Sequence, residues 1–432
     1  MIVQQIVEKA LKKAQAAQAI MLTQETSAVD FENDHLKSAE SSQRTQIDVK
    51  VIVDHKVGVS STTNPGDIEG VVNRALEAAE FGSPAHFELP DAQSLEPVKI
   101  FDPTLLPLEK PEMIRMGQQM MDMIKTYNPE ILAGAAVHKI MYKVEYANSR
   151  GAEYSADHTE FNVGAAGQLV RGTDILMAGH GIGQKKREVD TEEIAAQAIE
   201  YFRMAEQIAP IKSGEMPVIF TPGGLAALLL SLGLAVDGKN VVLGSSPLRD
   251  KLGHQIASSS LTIRDDPFVA FGPRTSAFDN EGVPRKVTPI IEKGMLRNFI
   301  YDLDTAGRAG TKPTGHGSSR SLTNLVIEPG NTPYETMIHN TSRGLLVHEF
   351  LGLGQGNPIN GEFSVNIFLG YKIEDGKIVG RVKDTMLAGN AFTALKAISA
   401  ISKEREWVSG PWSWFTGLIP YIQVEKLSVT AK

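Results

Sequence analysis

The residues that could do chemistry are thinly spread. There are ten histidines, and the closest pair, His339 and His348, is nine residues apart. No H-x-H or HExxH pair occurs, so no helix offers two imidazoles to one metal ion. His348-Glu349 matches half of a zincin motif, but Gly352 stands four residues after His348, and the pair reads as a histidine near a strand end. The chain has no cysteine, which removes thiol nucleophiles, Cys-ligated zinc, iron–sulfur clusters and disulfides. There is no G-x-S-x-G elbow, and neither Gly238-Lys239 nor Gly376-Lys377 continues into the Ser or Thr of a phosphate loop. The glycine-rich run 179–186 follows no convincing buried strand and reads as a mobile surface loop.

Two segments remain as binding candidates. Thr314–Arg320 is small, glycine-rich and polar, and its amides with His316 and Arg320 could hold a carboxylate or a peptide carbonyl. His348–Asn360 carries His348, Glu349 and the turn residue Asn357. Both are flanked by strand-like runs, so they are expected at one rim of a sheet, facing a shared cavity. His316, Arg320, His348, Glu349 and Asn357 are the candidate binding contacts.

The elements that must position these residues follow from periodicity. Ile2, Ile6, Ala10 and Ala14 mark an amphipathic helix, and Asp48–Ser60 reads as two strands turning at Asp54-His55. Ile68, Val72, Leu76 and Ala79 line a second helix. Six prolines between Ser83 and Pro111 exclude helix or central strand there. A Met-striped helix over 112–127 is expected to pack its methionines into a core. Segments 137–148 and 152–171 alternate as antiparallel strands, and Asp190 with Glu193 opens a helix buried along Ile194, Ala198, Phe202 and Ala205. Hairpins are expected at Lys293-Gly294 and Asp375-Gly376. The result is an α+β chain: a 1–85 α/β domain, an 86–111 linker, a 112–210 α+β domain, and a large antiparallel β-rich domain over 211–432.

Composition narrows the partners. With 43 Lys+Arg against 51 Asp+Glu, the net charge of −8 argues against sequence-independent nucleic-acid binding. The longest apolar stretch, Leu225–Val236, is shorter than the ~18 residues of a membrane span and contains Ser231 and Gly233. Charge interrupts any signal-peptide core in the first residues, so a cytoplasmic protein is expected.

Val29–Lys37, Asn148–Gly151, Phe278–Pro284, Asn324–Gly330, Gly344–Gly352 and Ile422–Val429 together resemble the TldD/PmbA family, once called modulators of DNA gyrase. The resemblance covers essentially the whole chain and implies two α/β N-terminal segments before a large β-rich domain. One family branch carries a His-Glu-x-x-x-His zinc-peptidase helix and a cysteine ligand. Aligned on the Gly and acidic-Gly ending, its ligand and catalytic positions fall here on Leu229, Leu230 and Leu234. Three apolar groups cannot hold zinc or activate its water. The chain therefore resembles the metal-free PmbA branch. The resemblance implies no catalytic residue, no cofactor in this chain, and zinc only in a paralogous partner.

The implied function is a non-catalytic subunit of a metallopeptidase complex that holds unfolded or modified peptide, paired with a zinc-bearing TldD-like paralogue or with itself. A homo-oligomeric peptide-binding scaffold is the alternative. Direct modulation of DNA gyrase fits the acidic charge least.

Overall fold

The computed structural model describes residues 1–409 and 415–431. Among these residues the strands form two sheets. The first is six-stranded and antiparallel: β1 Ala16–Glu32, β2 His35–Val53, β3 Lys56–Thr62, β4 Leu132–Asn148, β5 Glu153–Arg171 and β6 Asp174–Gln184, in the order β3-β2-β1-β4-β5-β6. Asp54 and His55 both take positive φ (47° and 61°), the two-residue turn whose twist matches that of the strands it joins.

Cross-strand partners share a face, and this sheet has two unlike ones. One face is covered by four helices. α1 Ile2–Ala10 and α2 Ile68–Glu80 bury Val3, Ile6, Val71 and Val72 against Val49 and Val51. α3 Lys110–Tyr127 and α4 Thr191–Met204 bury Met113, Met120, Ile124 and Phe202 against Val137, Phe161 and Val163. The methionine stripe is thus core. Asp190 caps α4 by accepting the amides of Glu192 and Glu193. The other face meets the C-terminal domain at one end, where Tyr146 and Tyr154 pack on Phe278, and borders a cavity at the other.

The boundary expected between 1–85 and 112–210 does not separate two sheets, because β1 pairs with β4 from Gln18↔Asn148 to Phe31↔Ala135. Alternation reveals a strand but not its partner a hundred residues away. Nor is 86–111 a free linker: the Ile100 carbonyl accepts from Thr159, and the Lys99 carbonyl from Phe271, tying the segment to both domains.

The second sheet has 11 strands: β7 Gly214–Phe220, β8 Ile263–Asp265, β9 Thr288–Glu292, β10 Met295–Leu296, β11 Leu325–Ile327, β12 Arg343–Leu351, β13 Glu362–Glu374, β14 Lys377–Arg381, β15 Thr385–Asn390, β16 Ile398–Val408 and β17 Gly417–Ala431. Five of them close a ring, β7-β12-β13-β15-β17, because β17 pairs back onto β7. The hairpin turns fall at Lys293-Gly294 and Asp375-Gly376, all four residues at positive φ. α5 Ala226–Val236 is apolar apart from Ser231. It buries Leu228, Leu229 and Leu232 in the same core as Val218, Val347 and Val424. α6 Gly238–Val242, α7 Leu303–Ala309, α8 Tyr334–His339 and α9 Ala391–Lys396 are short. Among the described residues, no helix is long and apolar enough to cross a membrane.

Candidate functional site

The middle of the cavity floor is almost without side chains. On the face away from the helices, Ala136, Gly164 and Gly181 stand abreast across β4, β5 and β6, as do Gly134, Ala166 and Gly179. The strands approach too closely for larger residues: a Cβ on Gly179 would lie 2.7 Å from that of Ala166. The lining continues round the β6 edge, with His180 of β6 and Tyr201 of α4 from the helix-covered side, Pro222 and Ala226 at the start of α5, His348 and Glu349 of β12, and Glu406–Ser409. Floor and lining enclose about 450 Å³. Run 179–186 is therefore mostly strand rather than a surface loop. Its alternate glycines 179, 181 and 183 have the period of a strand with one face stripped bare.

β6 is the last strand of its sheet, and its outer edge borders this cavity. The Gly183 amide donates to Ser409 Oγ (2.8 Å), and that hydroxyl donates back to the Gly183 carbonyl (3.0 Å). The Lys185 amide likewise points outward, to the Phe271 carbonyl at 3.0 Å. By antiparallel alternation, the amide and carbonyl of Gly181 and Gly179 point outward too. Among the described residues none of these four groups meets a partner on that edge.

The polar side chains are tuned by enclosure. Thr221 Oγ1 accepts from the Gly224 amide (3.2 Å) and is also hydrogen-bonded to His348 Nδ1 at 3.1 Å, which fixes the orientation of the ring. Burial, then neighbouring His180, holds His348 down to about 3, so the ring is neutral. Burial also lowers His180. Tyr201 packs its ring 4.1 Å from that of His348 and is pushed up by burial, by Glu406 and by Glu349. Solvent reaches Glu349 through the cavity mouth, yet protein surrounds it closely enough to push its carboxyl up. Glu406 is raised by burial despite accepting from the Tyr421 hydroxyl at 2.8 Å. These groups can bind and orient; no activated nucleophile lies among them.

His348 and Glu349 line this cavity, and the other expected contacts do not. Asn357 is exposed at the start of a 3-10 turn outside the walls. His316 is 3% exposed, held between Asp265 Oδ2 (3.1 Å) and Thr314 Oγ1 (2.9 Å). Arg320 is held by Asp237 (2.7 Å) and Asp302 (2.5 Å). The Thr314–Arg320 loop is polar because it has internal partners, so it shares no cavity with β12. Tyr201, His180 and Glu406 escape the sequence reading because each lies on a different element.

The family's metal does not fit here. Leu229 is core, and Leu230 and Leu234 are half-buried on α5. Ser231 Oγ, the one polar side-chain atom on that helix, is buried without a partner and cannot alone hold zinc. Among the described residues no three His, Asp or Glu side chains converge as ligands.

Further along the same sheet face lies Lys185, fully buried, donating to the Tyr142 hydroxyl (2.6 Å) and 3.2 Å from His158 Nδ1. Burial pulls this lysine down to about 8. Between there and the ordinary ~10.4, the unfolded chain carries a proton that the folded chain has lost, so this lysine makes stability rise with pH across that window. Lys185→Met should therefore add on the order of 2 kcal/mol at pH 7. Its advantage over wild type should shrink by pH 10. Urea unfolding of both proteins at the two pH values checks this; parallel stabilities would contradict it.

The relatives agree with this architecture. The PmbA/TldA metallopeptidase C-terminal domain matches residues 213–431, and domain 1 of the same family matches 17–79. The crystal structure of TldE from Thermococcus kodakarensis superposes with a TM-score of 0.92 over 100% of both chains, at 23% identity. MJ0231 of Methanocaldococcus jannaschii is 27% identical over 378 residues, 85% of this chain and 87% of that protein. Metalloprotease PmbA of Escherichia coli O157:H7 is 31% identical over 206 residues, 47% of this chain and 45% of PmbA. A family domain over the whole closed-ring half and another over the first strands place the chain in the PmbA/TldD metallopeptidase family.

Proposed function

We propose that this chain is the metal-free subunit of a two-chain cytoplasmic metallopeptidase, holding an extended peptide for a zinc-bearing paralogue to cut. The observation that carries the reading is the β6 edge at Gly179 and Gly181, which no described residue covers, beside a stretch of cavity floor made of glycine and alanine. A peptide adding to that edge would be held through its backbone, with little demand on its sequence. Leucines at the motif positions of α5 support a non-catalytic role, and the metalloprotease names of relatives support the reaction class.

The test is co-expression with the zinc-bearing paralogue. Elemental analysis should find zinc with the paralogue and none with this chain. Unfolded peptide should be cleaved by the pair and not by this chain alone. Methylating alternate peptide amides should weaken binding roughly tenfold, the equivalent of one or two lost hydrogen bonds. A self-assembling chain that binds normal and methylated peptides alike, and adds nothing to the paralogue's activity, would favour a scaffold.

A further inference from the structure

The charge balance of the cavity is incomplete. Glu349 and Glu406 both line it, and among the described residues neither forms an ion pair with lysine or arginine. Among the described residues no lysine or arginine lines it. The two histidines beside the carboxylates, His180 and His348, are held neutral by burial and supply no counter-charge. His138, on the floor, already faces Asp30 at 2.8 Å.

The two carboxylates share one cavity with Tyr201, a residue only 4% exposed that forms part of the wall. Trp407 follows Glu406 directly and also lines the cavity. Carboxylates beside aromatic faces, partly withdrawn from water, make an environment that favours an organic cation through ion pairing and cation–π attraction. Without one, a half-buried Glu406 and a more exposed Glu349 face the cavity, and among the described residues only a tyrosine hydroxyl is in hydrogen-bond contact, on Glu406. A small inorganic cation is a poorer match, since no third acidic or imidazole ligand converges there among the described residues.

We infer that this cavity is a subsite for a cationic side chain, lysine or arginine, of the bound peptide. Glu349 and Glu406 receive the charge, and Tyr201 and Trp407 flank the alkyl stem. The inference rests on the peptide-holding role proposed above and names the peptide class that role would favour. In an extended strand alternate side chains face one way, so one cationic residue would enter the cavity while its neighbours point outward.

The test uses N-acetylated, C-amidated extended peptides carrying arginine or its neutral isostere citrulline at the central position. Binding to the full chain, alone and with its paralogue, is followed by fluorescence anisotropy at low salt. The arginine peptide should bind at least tenfold tighter. Glu349→Gln with Glu406→Gln should bring the two affinities together, and salt should erode the difference in wild type. Equal affinities for the two peptides would overturn the cationic subsite while leaving backbone holding intact. If a citrulline peptide with a free N-terminus matches the arginine peptide, the subsite takes an α-ammonium group and the side-chain assignment is wrong. Binding of neither peptide would remove the peptide-holding role, and the subsite with it.

Discussion

Arg320→Ala should cost about 2–3 kcal/mol of folding stability, the consequence of taking the shared partner from two partly buried carboxylates. Arg320 donates from Nε to Asp237 (2.7 Å) and from Nη1 to Asp302 (2.5 Å) and the Ser318 carbonyl (2.7 Å). Its side chain is 15% exposed and that of Asp302 only 8%. Each carboxylate is also a helix cap: Asp237 accepts the Lys239 amide ahead of α6, and Asp302 accepts the Thr305 amide ahead of α7. Truncation would leave both acids uncompensated and loosen two helix starts at once. Arg320→Lys should recover only part of the loss, since an ammonium lacks the fork that reaches both acids. Chemical unfolding of the three proteins decides the matter. Unchanged stability with weakened peptide binding would return Arg320 to the role expected from sequence, as a peptide contact.

Leu229→Ala should destabilise the fold by about 2–5 kcal/mol, through lost burial and the void left behind. Leu229 is 6% exposed and sits in the core that α5 shares with β7, β12 and β17. Leu234→Ala, at a half-buried position on the same helix, should cost distinctly less. Denaturant midpoints of the two variants measured side by side provide the check. A neutral Leu229→Ala would mean that this side of α5 is not core.

Local features of the fold were legible and long-range ones were not. The turns at Asp54-His55, Lys293-Gly294 and Asp375-Gly376 each contain Asp, His or Gly, which tolerate positive φ, and α5 is written in an apolar run interrupted only by Ser231 and Gly233. The pairing of β1 with β4 leaves no local trace, because alternation specifies a face and not a neighbour. The Thr314–Arg320 loop misled for a physical reason: a polar, glycine-rich stretch has the same composition whether its groups meet water or buried acids. His348 and Glu349 were legible as a pair. Their surroundings were not, since Tyr201 and Gly181 come from elements well over a hundred residues earlier and Glu406 from a later strand.

The ring β7-β12-β13-β15-β17 has a temporal consequence. β7 begins at Gly214 and its partner β17 runs to Ala431, so the strand that opens the ring meets its closing neighbour only after some two hundred intervening residues have been made. On the ribosome, β7 can pair with β12, but its other side and one side of β15 stay open until β17 emerges. Such unpaired edges are the parts of a nascent chain most prone to join the wrong neighbour. The first sheet, whose six strands are finished by Gln184, can assemble beforehand and give the late-closing half a formed surface to settle on.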